Sequence, residues 1–60
     1  MITGYKIIIT DRITKIIDLE SYFSNEKVDA RYKAERFIEH IKMLYSENDY
    51  HINLEVIKDV

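Results

Sequence analysis

"YKIIITDRITKIIDLE", residues 5–20, carries three isoleucines in succession: Ile7, Ile8 and Ile9. A strand with one face on a core and one in water alternates apolar with polar side chains. Tyr5, Ile7 and Ile9 follow that pattern against Lys6 and Thr10, and Ile8 breaks it. Either Ile8 lies under the aliphatic stems of neighbouring lysines, or it belongs to an apolar patch that another protein covers.

The rest of the chain narrows that choice. At 60 residues it is one domain, close to the lower size for folding on a single core. Cores this small rarely supply more than about 3–5 kcal/mol without a disulfide, a metal or association. With no cysteine, disulfides and thiolate metal sites are excluded. Association, or a tight core from a composition that is 47% apolar, remains. So marginal a core favours the patch.

Three segments rich in β-branched residues read as strands, over residues 5–10, 13–19 and 51–57. Between the last two, "NEKVDARYKAERFIEHIKMLYSEN" has a different period. Ala30, Ala34, Phe37, Ile38, Ile41, Leu44 and Tyr45 form one helical stripe about 100° wide. Ser24 is placed for an N-cap, with Phe23 and Val28 as a hydrophobic staple. About 20 helical residues would span roughly 30 Å. The order is thus ββαβ: an α+β domain with a three-stranded antiparallel sheet, strand order 2-1-3, and one long helix on one face. With Asp11-Arg12 as a tight turn, Ile9 would face Thr14 and Ile7 would face Ile16. Ile7 and Ile9 would then lie under the helix beside Ile16, Leu54 and Val56.

On that register Ile8 points away from the helix with Ile13, Ile17 and Ile57, rimmed by Lys6 and Lys15. We expect these six residues to form an interface, in its commonest form a homodimer. Tyr32, Arg36 and Met43, on the outer side of the helix, form a second candidate of the composition enriched at interfaces.

Chemistry is absent from the pattern. His40 and His51 have no ligand partner at metal-binding spacing, and Glu35 and Glu39 lie on a solvated helix face. The single Gly4 rules out a glycine-rich phosphate loop. No catalytic residue, cofactor or metal is expected, and the protein is not expected to be an enzyme. A net charge of −2 disfavours non-specific nucleic-acid binding, which needs several lysines or arginines on phosphates. No apolar run reaches the roughly 18 residues of a membrane span, and the first residues lack a secretory pattern. A cytoplasmic setting, bacterial or in an infected host cell, is the expectation.

A 60-residue chain without cysteine or proline, rich in Ile, Lys, Tyr, Glu and Asn, resembles the small accessory proteins of AT-rich phages and mobile elements. The resemblance implies an inhibitor that binds and blocks a host protein, such as a defence factor, by steric occlusion. Two other readings stand beside it. One is a small nucleic-acid-binding regulator using Lys6, Arg12 and Lys15 with the helix basic residues Arg31, Lys33 and Arg36. The other is a structural subunit joined to a larger assembly through an edge strand.

Overall fold

The computed structural model describes residues 1–24 and 29–58. Its elements are β1 (Ile2–Asp11), β2 (Ile17–Ser24), α1 (Ala30–Ile41) and β3 (Tyr50–Lys58). Both outer strands pair antiparallel with β1, giving the order β2-β1-β3, with the one helix among the described residues on one face. The expected α+β architecture is therefore the observed one.

Pairing explains the isoleucine triplet. On one face of β1, Tyr5, Ile7 and Ile9 stand opposite Phe23, Ser21 and Leu19 of β2, and opposite Val56, Leu54 and Ile52 of β3. This is the face α1 covers: Ile7 and Ile9 are wholly buried, in a cluster with Tyr5, Ala30, Ala34 and Ile41. Fully burying one such aliphatic side chain contributes about 1.5–3 kcal/mol, so these two residues anchor a small core. The two alanines, without accessible surface, let the helix backbone approach the sheet closely. Phe23 and Phe37 meet across the layers with ring centroids 5.5 Å apart. Ile8 falls on the opposite face and is half-buried.

The two faces of β3 agree with the pattern read from sequence, but the β1–β2 register does not. Asp11-Arg12 is not a two-residue turn. The Asp11 carboxylate Oδ1 accepts from the backbone N–H groups of Ile13 (2.8 Å) and Thr14 (3.0 Å), and its carbonyl accepts from Lys15 N–H (2.9 Å). Lys15 then takes φ 64°, the left-handed conformation that closes a longer loop. Asp11 N–H finally meets the Ile16 carbonyl at 3.0 Å, and the strand starts at Ile17 instead of Ile13. Side-chain capping by an aspartate outcompeted the shorter turn. As a result Ile13 and Ile16 lie in the loop, 86% and 64% exposed, and Leu19 passes to the helix face. A register irregularity leaves Asp18 between Ile17, opposite Thr10, and Leu19, opposite Ile9.

The hairpin also gives a pH prediction. The N–H groups of Thr14 and Ile13, with the nearby Lys15 charge, hold the Asp11 carboxyl below its ordinary pKa of 3.8. A depressed folded-state pKa adds stability that is complete above the ordinary carboxylate range and is lost as pH falls through and below it. Asp11→Asn should therefore lower the melting temperature at neutral pH. The gap to wild type should narrow as pH drops through the carboxylate range. A gap constant with pH would assign the effect to something other than this charge.

The helix is shorter than its periodicity suggests. Its N-cap is Asp29, whose Oδ1 accepts from Arg31 N–H at 3.1 Å and Tyr32 N–H at 3.4 Å. Ser24, the expected cap, is the last residue of β2, while the staple partner Val28 lies outside the described residues. At the other end the bonds tighten to i→i−3, from Met43 N–H to His40 (3.2 Å) and from Leu44 N–H to Ile41 (2.9 Å). That change turns Leu44 outward, 78% exposed, and sends Tyr45 edge-on against Tyr50, centroids 4.9 Å apart.

Candidate interaction surfaces

With one helix for one sheet, the second sheet face has no covering layer among the described residues. On it β1 presents Gly4, Lys6, Ile8 and Thr10. Residues opposite each other in an antiparallel pair share a face, so Glu20, Tyr22 and Ile17 join from β2, and His51, Asn53, Glu55 and Ile57 from β3. Ile8 sits between Glu20 and Asn53. Lys6 lies between Tyr22 and Glu55, with its Nζ 3.5 Å from Glu20 Oε1.

Four of the six residues expected in the first interface, Lys6, Ile8, Ile17 and Ile57, are thus on one face, but not side by side. Ile17 is at the hairpin end opposite Thr10, 50% exposed, and Ile57 is at the far end opposite Gly4. Ile13 and Lys15 belong to the hairpin tip instead. The face therefore reads as spaced isoleucines in a polar frame, completed by Tyr22, which is 54% exposed. Sequence reasoning missed Tyr22 because the displaced turn left it outside the expected strand.

A second apolar concentration was also missed. The hairpin loop and the α1–β3 connection lie at the same end of the molecule, tied by Arg12. Its N–H donates to the Asp49 carbonyl (3.0 Å) and its Nε to the Glu47 carbonyl (2.8 Å). Ile13, Ile16, Met43 and Leu44 are all largely exposed at this end. Among them stand carboxylates: Asp18 foremost, and then Asp11 and Asp49, help hold the Tyr50 phenol above its ordinary pKa, with burial contributing.

Of the second candidate, Tyr32 and Arg36 lie one turn apart on α1, both exposed, and Met43 is beyond the helix end, 85% exposed. The neighbouring Arg31 pairs with Glu35 at 3.1 Å. Of the basic residues considered for nucleic acid, Lys6 faces Glu20 and Arg12 is bonded to the Glu47 carbonyl, while Lys15 is exposed at the tip.

Between α1 and β3 runs a groove of about 320 Å³, floored by Ile38, Ile52 and Leu54. Lys42 and Glu47, paired at 3.0 Å, stand at its rim. Among the described residues no group of three metal-ligating side chains converges, and no helix is long and apolar enough to cross a membrane. Comparisons with protein-family models, curated proteins and solved structures find no match to this chain.

Proposed function

We propose that this protein is a non-enzymatic protein-binding module, homodimeric, that acts by occluding a surface of its target. Small accessory proteins of phages and mobile elements, which its composition resembles, use this mode to inhibit host proteins. The observation that carries the reading is the uncovered sheet face. Its half-buried Ile8 sits between Glu20 and Asn53, with Tyr22 and Ile17 at the neighbouring pairs, Ile57 further along the face, and charges of both signs interspersed. Such a surface suits a protein partner, whose own apolar and polar groups can match the mixture. It suits phosphate poorly, because Lys6 already faces Glu20.

The test uses tagged wild type and Ile8→Glu, each first checked for folding by circular dichroism. Incubated with bacterial lysate, wild type should retain a protein in stoichiometric amount and Ile8→Glu should lose at least nine-tenths of it. Tyr32→Ala, on the far side of the molecule, should retain it. Identical retention by wild type and Ile8→Glu would remove the open face from the mechanism. Retention of nucleic acid that falls steeply with salt would replace the reading with the regulator.

A further inference from the structure

The phase of its hydrogen bonds shows which backbone groups β3 turns away from β1. Arg12 N–H donates to the Asp49 carbonyl, continuing the single register in which Thr10 faces His51, Ile8 faces Asn53, Lys6 faces Glu55 and Gly4 faces Ile57. In an antiparallel ladder the mutually bonded pairs alternate with non-bonded ones. Asp49, His51, Asn53, Glu55 and Ile57 therefore turn their backbone groups towards β1; the Ile57 carbonyl indeed also accepts from Thr3 Oγ1 at 3.3 Å. Tyr50, Ile52, Leu54 and Val56 turn theirs outward, along an edge with no strand beside it among the described residues, and Lys58 follows past a register shift between Gly4 and Ile2.

We propose that β3 pairs with β3 of a second copy, antiparallel about a two-fold axis through Leu54, making one six-stranded sheet; this rests on the homodimer part of the function proposed above. Leu54 is the midpoint of the nine-residue strand, so this register uses the whole edge. On the helix side Leu54 meets Leu54 of the second copy, Ile52 meets Val56 and Tyr50 meets Lys58. On the open side Asn53 meets Glu55 and His51 meets Ile57. No like charges are opposed, whereas moving the axis to Glu55 would set two carboxylates face to face. The outward phase makes Leu54–Leu54 a mutually bonded pair.

Burial points to the same edge. Val56 remains 44% exposed on the covered face, and the groove along β3 is floored by Ile52 and Leu54. A second β3 brings its own Ile52, Leu54 and Val56 against these side chains. The opposite edge is defended: β2 carries Asp18 and Glu20, and its register breaks at Asp18. Edge carboxylates and bulges are ordinary means of preventing strand addition. Because antiparallel neighbours share faces, both helices of the dimer lie on one side. The two open faces then merge into a single sheet surface centred on the two-fold axis.

The chain has no cysteine, so single-cysteine variants trap the register cleanly. Bonded antiparallel partners have Cα atoms about 5.5 Å apart, within disulfide reach, whereas diagonal neighbours at roughly 7–8 Å lie at or beyond its limit of about 7 Å. Wild type should run as a dimer by light scattering, and Leu54→Cys should oxidise almost completely to a linked dimer while Asn53→Cys does not. Asn53→Lys, an exposed change that needs no repacking, should tighten the dimer several-fold, and Asn53→Asp should loosen it by a similar factor. A wild type monomeric at the highest concentration attainable would overturn both the edge pairing and the homodimer reading, leaving target binding through Ile8 to its own test. A dimer that Ile8→Glu dissociates, with Leu54→Cys untrapped, would overturn the edge pairing alone. So would Asn53→Lys and Asn53→Asp shifting the affinity in the same direction.

Discussion

Ile7→Ala is expected to leave most of the protein unfolded at room temperature, while Ile8→Ala, one residue along, should leave it folded. Ile7 has no accessible surface, lies at the centre of β1 and meets the helix across from Ser21 and Leu54. Truncating a buried isoleucine to alanine costs about 2–5 kcal/mol, from lost transfer energy and the cavity left behind. The total stability of a domain this small is of the same size, roughly 3–5 kcal/mol. Ile8, half-buried on the open face, removes far less apolar contact when cut back. Urea melts of the two variants at one protein concentration measure the difference, and Ile9→Ala should behave as Ile7→Ala does. A larger loss at position 8 than at position 7 would mean that β1 presents its faces the other way round, since a one-residue slip exchanges them.

The second large effect belongs to Gly4→Ala. A Cβ built on Gly4 would stand 2.6 Å from the Phe23 carbonyl oxygen and 2.8 and 2.9 Å from the Oη and ring of Tyr22. A tyrosine ring can swing aside, but a strand carbonyl moves only with its strand. The substitution should therefore push the end of β2 away from β1, at a cost of about 1–3 kcal/mol typical of overpacking. Replacing glycine within a strand would otherwise favour the variant by roughly 0.5–1 kcal/mol, so the net sign is the test. Adding Tyr22→Ala relieves the ring contacts alone and should recover part of the loss. Full recovery would show that the ring, not the backbone, requires glycine at this position.

How much of this was legible beforehand can be argued from particular residues. The order ββαβ and the placing of Ile7 and Ile9 on the helix face with Leu54 and Val56 follow from periodicity, which depends on burial and so survives in the sequence. The β1–β2 register was not legible. It turns on one carboxylate bonding two amides and on Lys15 accepting a positive φ, neither of which leaves a hydrophobic pattern. That single turn moved Ile13 and Lys15 off the expected surface and brought Tyr22 onto it. The helix end was hidden for a similar reason: Leu44 keeps the helical period, while the backbone has already tightened beneath it. Ile17 lies on the expected face although β2 begins later, because the irregularity at Asp18 offsets the slip at that point.

The central strand has one more consequence. β1 leaves the ribosome before its partners, yet one of its two ladders waits for β3, which is made after β2 and α1. Until then a nascent chain can form the β1–β2 hairpin and lay α1 on it, but the β3-facing amides and carbonyls of β1 stay bare. A two-stranded hairpin is marginal by itself in water, and distant pairings form slowly because the intervening chain must first be closed. Synthesis and folding are thereby uncoupled, and the protein commits to its native state only when residues 50–58 emerge. Among many copies made at once, that interval is when the bare edge of β1 is most exposed to the wrong strand.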